Sequence, residues 1–171
     1  MTRTGLGIGV LVLITVVALV AMRRGWSGRA RWSGSALPSL PEVPAERGPV
    51  RFGPVEATYL SSTLAGRPLE RLAVHGLGVR SPAVVEVHDA GVLVRRTGSA
   101  DLYLRAAAVR QVTLAAGIAG TSVGRARLVL IGWQAGATVV ETGLLPRHDA
   151  DRVGLVEAVR AVMAHPREDS R

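Results

Sequence analysis

The chain has 171 residues, which fits one ordinary domain with an N-terminal extension and excludes a second enzyme-sized core. All 21 basic residues are arginine, as is typical of a GC-rich genome, and they exceed the 13 acidic residues to give a net charge of +8. The arginines are densest beside the first apolar segment instead of clustering on the domain, so no nucleic-acid partner is predicted. The absence of cysteine excludes disulfides, thiolate catalysis and cysteine-based metal sites.

An uncharged apolar segment extends from Gly5 to Met22. At a rise of 1.5 Å per residue, about 18–20 such residues span a hydrocarbon core of roughly 30 Å. A cleaved signal peptide has a shorter apolar region of about 7–15 residues that ends at a small-x-small site. Here the run is longer and ends at Arg23 and Arg24. The pattern predicts one uncleaved transmembrane anchor over residues 1–24, with the lipid bilayer as its partner.

A basic and aromatic segment follows the apolar run. Its candidate membrane-interface residues are Arg23, Arg24, Trp26, Arg29, Arg31 and Trp32. Cytoplasmic flanks carry an excess of basic residues, and only Arg3 precedes the span, so we predict a single-pass plasma-membrane protein with its N-terminus outside and its C-terminal domain cytoplasmic. Contact of the segment with anionic lipid headgroups is one interpretation, and an ordinary stop-transfer flank is the plainer one.

The rest of the chain divides into a linker and a domain. Residues 25–53 are rich in Pro, Gly, Ser and Arg, which is typical of a partly extended linker. Residues 54–165 contain short apolar runs broken by Gly, Asp and Pro, as in antiparallel all-β folds. Strands are predicted at about Glu56–Thr63, Leu69–Val74, Ala83–His88, Gly91–Arg96, Val109–Ala115, Arg127–Trp133 and Thr138–Thr142.

The sequence VVEVHDAGVLVRR is the clearest predicted hairpin. Its alternation predicts a buried face formed by Val85, Val87, Val92 and Val94. The intervening residues predict an opposite face that is mostly exposed to water. The Asp-Ala-Gly turn places Gly91 where a positive φ is expected.

An amphipathic helix is predicted at the C-terminal end. Asp149 and Asp151 provide carboxylates at its start, near the positive end of the helix dipole. Apolar residues then recur at a spacing of three to four, at Val153, Leu155, Val156, Val159, Val162 and Met163. Pro166 predicts the stop, and residues 166–171 are expected to be a disordered tail.

The stretch GVLVRRTGSADLYLRAAAVRQVTLAAGIAG, with the later RLVLIGWQ and TVVETGLLPRHDADRV, resembles the membrane-anchored bacterial pleckstrin-homology-like (PH-like) proteins of actinobacteria. The resemblance implies a mainly β fold, a PH-like antiparallel barrel or sandwich of about seven strands closed by one C-terminal helix. It also implies one N-terminal span and a cytoplasmic domain without a settled activity. Phosphoinositide-binding members of the wider superfold carry several basic residues around the first hairpin, whereas TLAGRPLER offers only Arg67 and Arg71.

No catalytic, cofactor or metal site is predicted, and no enzyme activity is expected. The four histidines are expected to be scattered surface residues, because none has a partner at the i, i+4 spacing of a metal site; they are His75, His88, His148 and His165. His88 precedes Asp89 in a turn, which favours turn chemistry over an acid-base pair. The serines lack a G-x-S-x-G context, and GIAGTSVGRAR lacks the lysine of a P-loop.

One loop is a candidate partner surface because its residues are small and lean apolar. It comprises Gly117, Ile118, Gly120, Thr121, Val123 and Gly124. Such a loop can dock on an unidentified protein partner, dip into lipid, or fold over its own domain. The predicted function is a membrane-tethered PH-like interaction or scaffolding module. The alternative is an accessory subunit of a membrane transporter or envelope-synthesis complex.

Overall fold

A computed structural model of the protein describes residues 12–20, Leu37 and residues 39–164, apart from the side chain of Pro68. Residues 12–20 form a helix, α1, whose apolar side chains are exposed. Within these ranges no helix combines the length and the apolarity that a bilayer crossing requires. The predicted anchor is thus described only over residues 12–20. The six predicted membrane-interface residues and the predicted tail, 166–171, lie outside the described residues.

The described part of the chain contains ten strands and a C-terminal helix after α1. They are β1 (Val50–Leu64), β2 (Arg67–Arg71), β3 (Ser81–His88), β4 (Gly91–Arg96), β5 (Leu102–Arg105), β6 (Val109–Ala115), β7 (Gly117–Ile118), β8 (Thr121–Ser122), β9 (Leu128–Ala135), β10 (Thr138–Pro146) and α2 (Ala150–Ala164). Short 3-10 turns occupy Val74–Gly76 and Ala106–Ala108. The prediction of seven strands missed β5, β7 and β8.

Eight of the strands form one antiparallel sheet in the order β5-β4-β3-β1-β10-β9-β6, with β2 also paired to β1. Strand β1 is central, because Ala57 pairs with Ala83 of β3 on one side and with Pro146 of β10 on the other. The sheet forms a sandwich with one C-terminal helix, which confirms the mainly β prediction. Among the described strands, the edges β5 and β6 do not pair with each other, so the predicted alternative of a closed barrel is wrong.

Strand β1 begins earlier than predicted and takes in the end of the predicted linker. Val50 pairs with His88, and Phe52 pairs with Val87. Further upstream, Leu37 is buried and packs in the main core. Leu37 and the residues from Val50 onward are therefore held against the domain.

The main core lies between the two halves of the sheet and is closed by α2. Its largest fully buried side chain is Trp133. The buried face of α2 consists of Leu155, Val156, Val159 and Val162, as predicted. Val153 was predicted to be part of this face but is 57% exposed, because at about 100° per residue it lies about 120° from the centre of the buried stripe.

The β3–β4 hairpin follows the predicted bounds closely. The pairs Val85–Val94 and Val87–Val92 bring the four predicted valines together in the core. Gly91 is needed for close approach, since a Cβ there would lie 2.2 Å from the carbonyl oxygen of Leu104. The prediction of a mostly exposed opposite face is wrong for Leu93, which is 2% exposed, and for His88, which is 5% exposed.

Candidate functional site

The predicted partner loop forms a small hairpin on the outer face of the sheet. Strands β7 and β8 make a two-stranded sheet of their own, in which Gly117 pairs with Ser122 and Ile118 with Thr121. Ile118 is 5% exposed and Ala119 is also buried. These two residues form an outer cluster with Leu60 and Leu128, bordered by Ala115, Val123, Leu130 and Leu145. Of the alternatives for this loop, the structure shows it folded over its own domain.

A missing side chain at Gly143 makes room for the hairpin. A Cβ at Gly143 would lie 2.8 Å from Cγ2 of Ile118 and 3.2 Å from Cδ2 of Leu128, which is closer than carbon atoms normally approach. The register of β1 shifts between Tyr59 and Ser61, so the extra residue, Leu60, joins the outer cluster. The outer face therefore contains a notch that holds one branched aliphatic side chain.

Arg71 of β2 connects the hairpin to the rest of the domain. Its Nη2 donates to the carbonyl oxygen of Ala119 (3.2 Å) and to Oγ1 of Thr121 (3.0 Å), and its Nε also donates to Ala119 (3.4 Å). Both acceptors are uncharged. Ala119 has a φ of +53°, a conformation that is uncommon for a residue with a side chain.

A surface hollow of about 370 Å³ lies between β2 and the hairpin, lined by Leu69 and residues 116–122. Leu69 is 76% exposed. The hollow is concave and none of the described residues that line it is charged, which makes it the candidate contact surface of the domain. The predicted loop residues Gly117, Ile118, Gly120 and Thr121 line this hollow, whereas Val123 and Gly124 are not part of its lining.

A second groove of about 500 Å³ lies on the sheet at the end of β10, and Arg127 and Arg147 line it. Arg147 donates to Glu56 (2.8 Å) and Arg127 donates to Asp149 (3.3 Å). All four side chains are well exposed to solvent, and ion pairs of this kind contribute little. Both arginines of the groove are therefore already paired with carboxylates of the domain.

His88 belongs to a buried polar network at the tip of the β3–β4 hairpin, so its predicted surface position is wrong. Its Nδ1 donates to the carbonyl oxygen of Gly48 (3.1 Å), and its Nε2 lies 3.2 Å from Oε2 of Glu86. Burial opposes ionisation of Glu86, but the hydrogen bonds from Arg95 and His88 outweigh it and lower the pKa of Glu86. An ion pair between Arg51 and Asp89 holds the preceding segment at the same tip. These contacts have a structural role.

A chain of hydrogen bonds runs through the main core and was not predicted. The Tyr59 hydroxyl donates to the carbonyl oxygen of Leu77 (2.7 Å) and lies 2.8 Å from Oγ of Ser62. Ser62 in turn contacts Thr142 (2.7 Å), which accepts from Nε1 of Trp133 (3.0 Å). Burial raises the pKa of Tyr59 to about 12, so the phenol is neutral at physiological pH. The sequence feature that could have indicated this chain of hydrogen bonds is the presence of tyrosine, serine and threonine within apolar strands.

Two of the remaining histidines lie within the part of the chain that the structure describes, and they are far apart in the sequence. His75 Nε2 donates to the carbonyl oxygen of Leu37 (2.9 Å), His148 precedes α2, and His165 lies outside the described residues. Among residues 12–20, 37 and 39–164, no three His, Cys, Asp or Glu side chains are grouped so that they could hold a metal ion.

Comparison with known proteins identifies the fold family. A search of curated protein sequences finds no significant match. Among solved structures, the chain is similar to the C-terminal phosphotyrosine interaction domain of mouse APBB2, with a TM-score of 0.42 and 18% identity over 75% of this chain and 100% of that chain. A family model described as "Bacterial PH domain-like" matches residues 37–160. This match covers most of the chain, and the protein therefore belongs to the bacterial PH domain-like family.

Proposed function

We propose that the protein is a membrane-tethered interaction or scaffolding module of the membrane-anchored actinobacterial type. The observation that carries the proposal is the hollow between Leu69 and the β7–β8 hairpin, where an exposed apolar side chain borders a concave surface. PH-like domains generally serve as non-catalytic interaction domains, and the proposal assigns this chain no catalytic role. Exclusive use of arginine, typical of a GC-rich genome, is in keeping with the actinobacterial type.

The tether is supported by the N-terminal sequence and by α1. No charged side chain occurs between Gly5 and Met22, and the apolar side chains of α1 are exposed. A membrane potential that is negative inside adds about 2.3 kcal/mol per charge per 100 mV in favour of keeping the basic flank in the cytoplasm. The domain is therefore proposed to be cytoplasmic, and the flank is proposed to approach anionic headgroups.

Fusion reporters test the tether and its orientation. A phosphatase fused after Arg171 should be inactive in cells, whereas a fluorescent reporter that requires the cytoplasm should be active. Replacing the four arginines of the flank by serine should give mixed or inverted topology, because local charge sets the orientation. Labelling of the wild-type C-terminus by an impermeant reagent in intact cells would contradict the cytoplasmic placement.

Affinity capture from gently solubilised membranes tests the partner surface. The full chain should capture a soluble partner, and Leu69→Asp should lose it because a carboxylate replaces the apolar contact. Val79→Asp is a matched control, since Val79 is also an exposed aliphatic residue (58%) but does not line the hollow. Capture of a polytopic membrane protein by wild type and both variants alike would favour the accessory-subunit alternative.

A further inference from the structure

We propose that the β7–β8 hairpin is a latched flap over an aliphatic docking surface, and that an acidic protein segment releases the latch at Arg71. The proposal rests on the interaction function assigned above and specifies the chemistry of the partner. The proposed docking surface lies on the same outer face of the sheet. It comprises the hollow beside Leu69 and the surface beneath the hairpin.

The hairpin is attached to the domain mainly through side chains. Its strands have two residues each, and they pair with each other and not with the eight-stranded sheet. An isolated two-stranded hairpin is marginally stable in water, so the position of this one depends on what holds it down. Those contacts are the burial of Ile118 and Ala119 and the hydrogen bonds from Arg71. Such a unit opens at lower free energy than strands within the sheet.

Glycines lie at the ends of the flap. Gly117 begins β7, and Gly124 follows β8 with a φ of +83°. Positions at the ends of an element can absorb the backbone rotation that moves it, and glycine does so at low steric cost. The flap can therefore rotate away while β6 and β9 keep their pairing with each other.

The surface beneath the flap is aliphatic. Displacement of Ile118 would uncover Leu60, Leu128 and the notch at Gly143, with Leu130 and Leu145 at the border. The fit of Ile118 shows that this notch accepts one branched aliphatic side chain. A partner that presents such a side chain can replace the contact that the flap gives up.

The latch selects the charge of the partner. Among the described residues the Arg71 guanidinium donates only to uncharged acceptors, the Ala119 carbonyl and the Thr121 hydroxyl. A carboxylate forms charge-assisted, bidentate bonds with arginine that are about twice as strong as bonds to neutral acceptors. An acidic group next to an aliphatic one therefore competes for both attachments of the flap at once.

Thiol labelling of the full chain in mild detergent measures opening directly, because the chain has no cysteine of its own. Ile118→Cys should be modified under native conditions, and Val85→Cys, buried in the main core, should be modified only through global unfolding. Adding Arg71→Ala to the Ile118→Cys variant should speed labelling of its thiol about tenfold, the effect of losing one or two net hydrogen bonds. Arg80→Ala, an exposed arginine outside the latch, should not change it. Equal labelling rates of the two cysteine variants would overturn the proposal.

A defined peptide tests release. A synthetic peptide of alternating glutamate and isoleucine should accelerate labelling in a saturable way when Arg71 is present, and in Arg71→Ala it should require a much higher concentration, because only the notch is then left to compete for. A lysine–isoleucine peptide should be inactive. Acceleration by anionic phosphatidylserine vesicles but not by the acidic peptide would overturn the protein partner in favour of a lipid.

Hydrogen exchange of the unmodified chain is a second measurement of opening. It is needed because Ile118→Cys itself changes a side chain that holds the hairpin on the domain. Amides of residues 117–122 should exchange well before those of β3 and β9. If residues 117–122 exchange only when β3 and β9 do, the hairpin does not open separately and the proposal is overturned. The labelling and exchange experiments need no natural partner. If they show no opening, the flap is overturned, and the Leu69-dependent capture experiment still tests the proposed function. Conversely, a flap that opens without any Leu69-dependent capture would overturn the proposed function, and with it the partner of the flap, but not the opening itself.

Discussion

Two apolar clusters lie on opposite faces of the same sheet and differ in what holds them together. The main core joins both halves of the sheet, the buried stripe of α2 and Leu37. The outer cluster has four buried residues, two of them from the β7–β8 hairpin. The main core is closed by long backbone ladders and a helix, whereas side chains close the outer cluster. The comparison separates the part that determines the fold from the part that can open to a partner.

The largest test of this comparison is a charge placed in the main core. Val156→Asp should lower the free energy of unfolding by several kcal/mol, on the order of 4, because the variant buries an unpaired carboxylate beneath the sheet. Chemical denaturation measures the loss. Arg160→Ala, on the exposed side of α2, is the control and should be nearly neutral. Equal losses would mean that the face of the helix is misassigned.

Alkaline pH tests the buried hydroxyl chain of the main core. The pKa of Tyr59 is about 12 in the fold and about 10 in the unfolded chain, so folding favours the neutral phenol. Its contribution is fully present below pH 10 and is lost as the pH rises toward 12, by about 2–3 kcal/mol. Denaturation between pH 9 and 12 should show this decline. Tyr59→Phe should start less stable and lack most of it, and an unchanged pH dependence in that variant would contradict the assignment.

A smaller and local effect is expected in the outer cluster. Gly143→Ala should displace Ile118, because the new Cβ would meet its Cγ2 at 2.8 Å, and overpacking of this kind costs about 1–3 kcal/mol. Hydrogen exchange should show loss of protection in residues 117–122 with β3 and β4 unaffected. Adding Ile118→Ala should relieve the clash, giving a coupling of about 0.5–3 kcal/mol in a double-mutant cycle. Additive effects would show that the two residues do not compete for the notch.

The smallest stability effect is expected at the hollow. Leu69→Ser should change the free energy of unfolding by less than about 0.5 kcal/mol, because the side chain is 76% exposed. Thermal or chemical denaturation measures this value. A larger loss would place Leu69 among the structural contacts and would weaken its assignment to the partner surface.

The sequence predicted elements whose pattern repeats over several residues. The β3–β4 valines alternate strictly, and the stripe of α2 recurs at helical spacing, so both were placed correctly except for Val153. Strand β5 was missed because it has only four residues and the three in a row from Leu102 to Leu104 are all buried, which leaves no alternation to read. The β7–β8 hairpin was missed because each strand has two residues.

Long-range contacts were beyond the reach of sequence patterns. The candidate site depends on Arg71 contacting residues 48 and 50 positions away, and on Gly143 facing Ile118 across the outer face. Gly154 is a further case, since a Cβ there would meet the ring of Phe52 at 2.6 Å, about a hundred residues earlier in the chain. Composition indicated that the Gly117–Gly124 region was unusual, but only the fold shows which surface it covers.

The central position of β1 has a mechanical consequence. Its residues Val50–Tyr59 pair with β3 and its residues Ala57–Leu64 pair with β10, and among the described strands it is the first after the N-terminal segment. With the proposed membrane tether, a force that pulls on the N-terminal segment acts along β1 and loads the β3 ladder before the β10 ladder, because pairing with β3 begins at Val50 and pairing with β10 begins at Ala57. The packing of Leu37 and the Arg51–Asp89 pair lie ahead of most of these bonds and would yield first. Loss of these two contacts would lengthen the proposed tether while the sheet and α2 keep their packing.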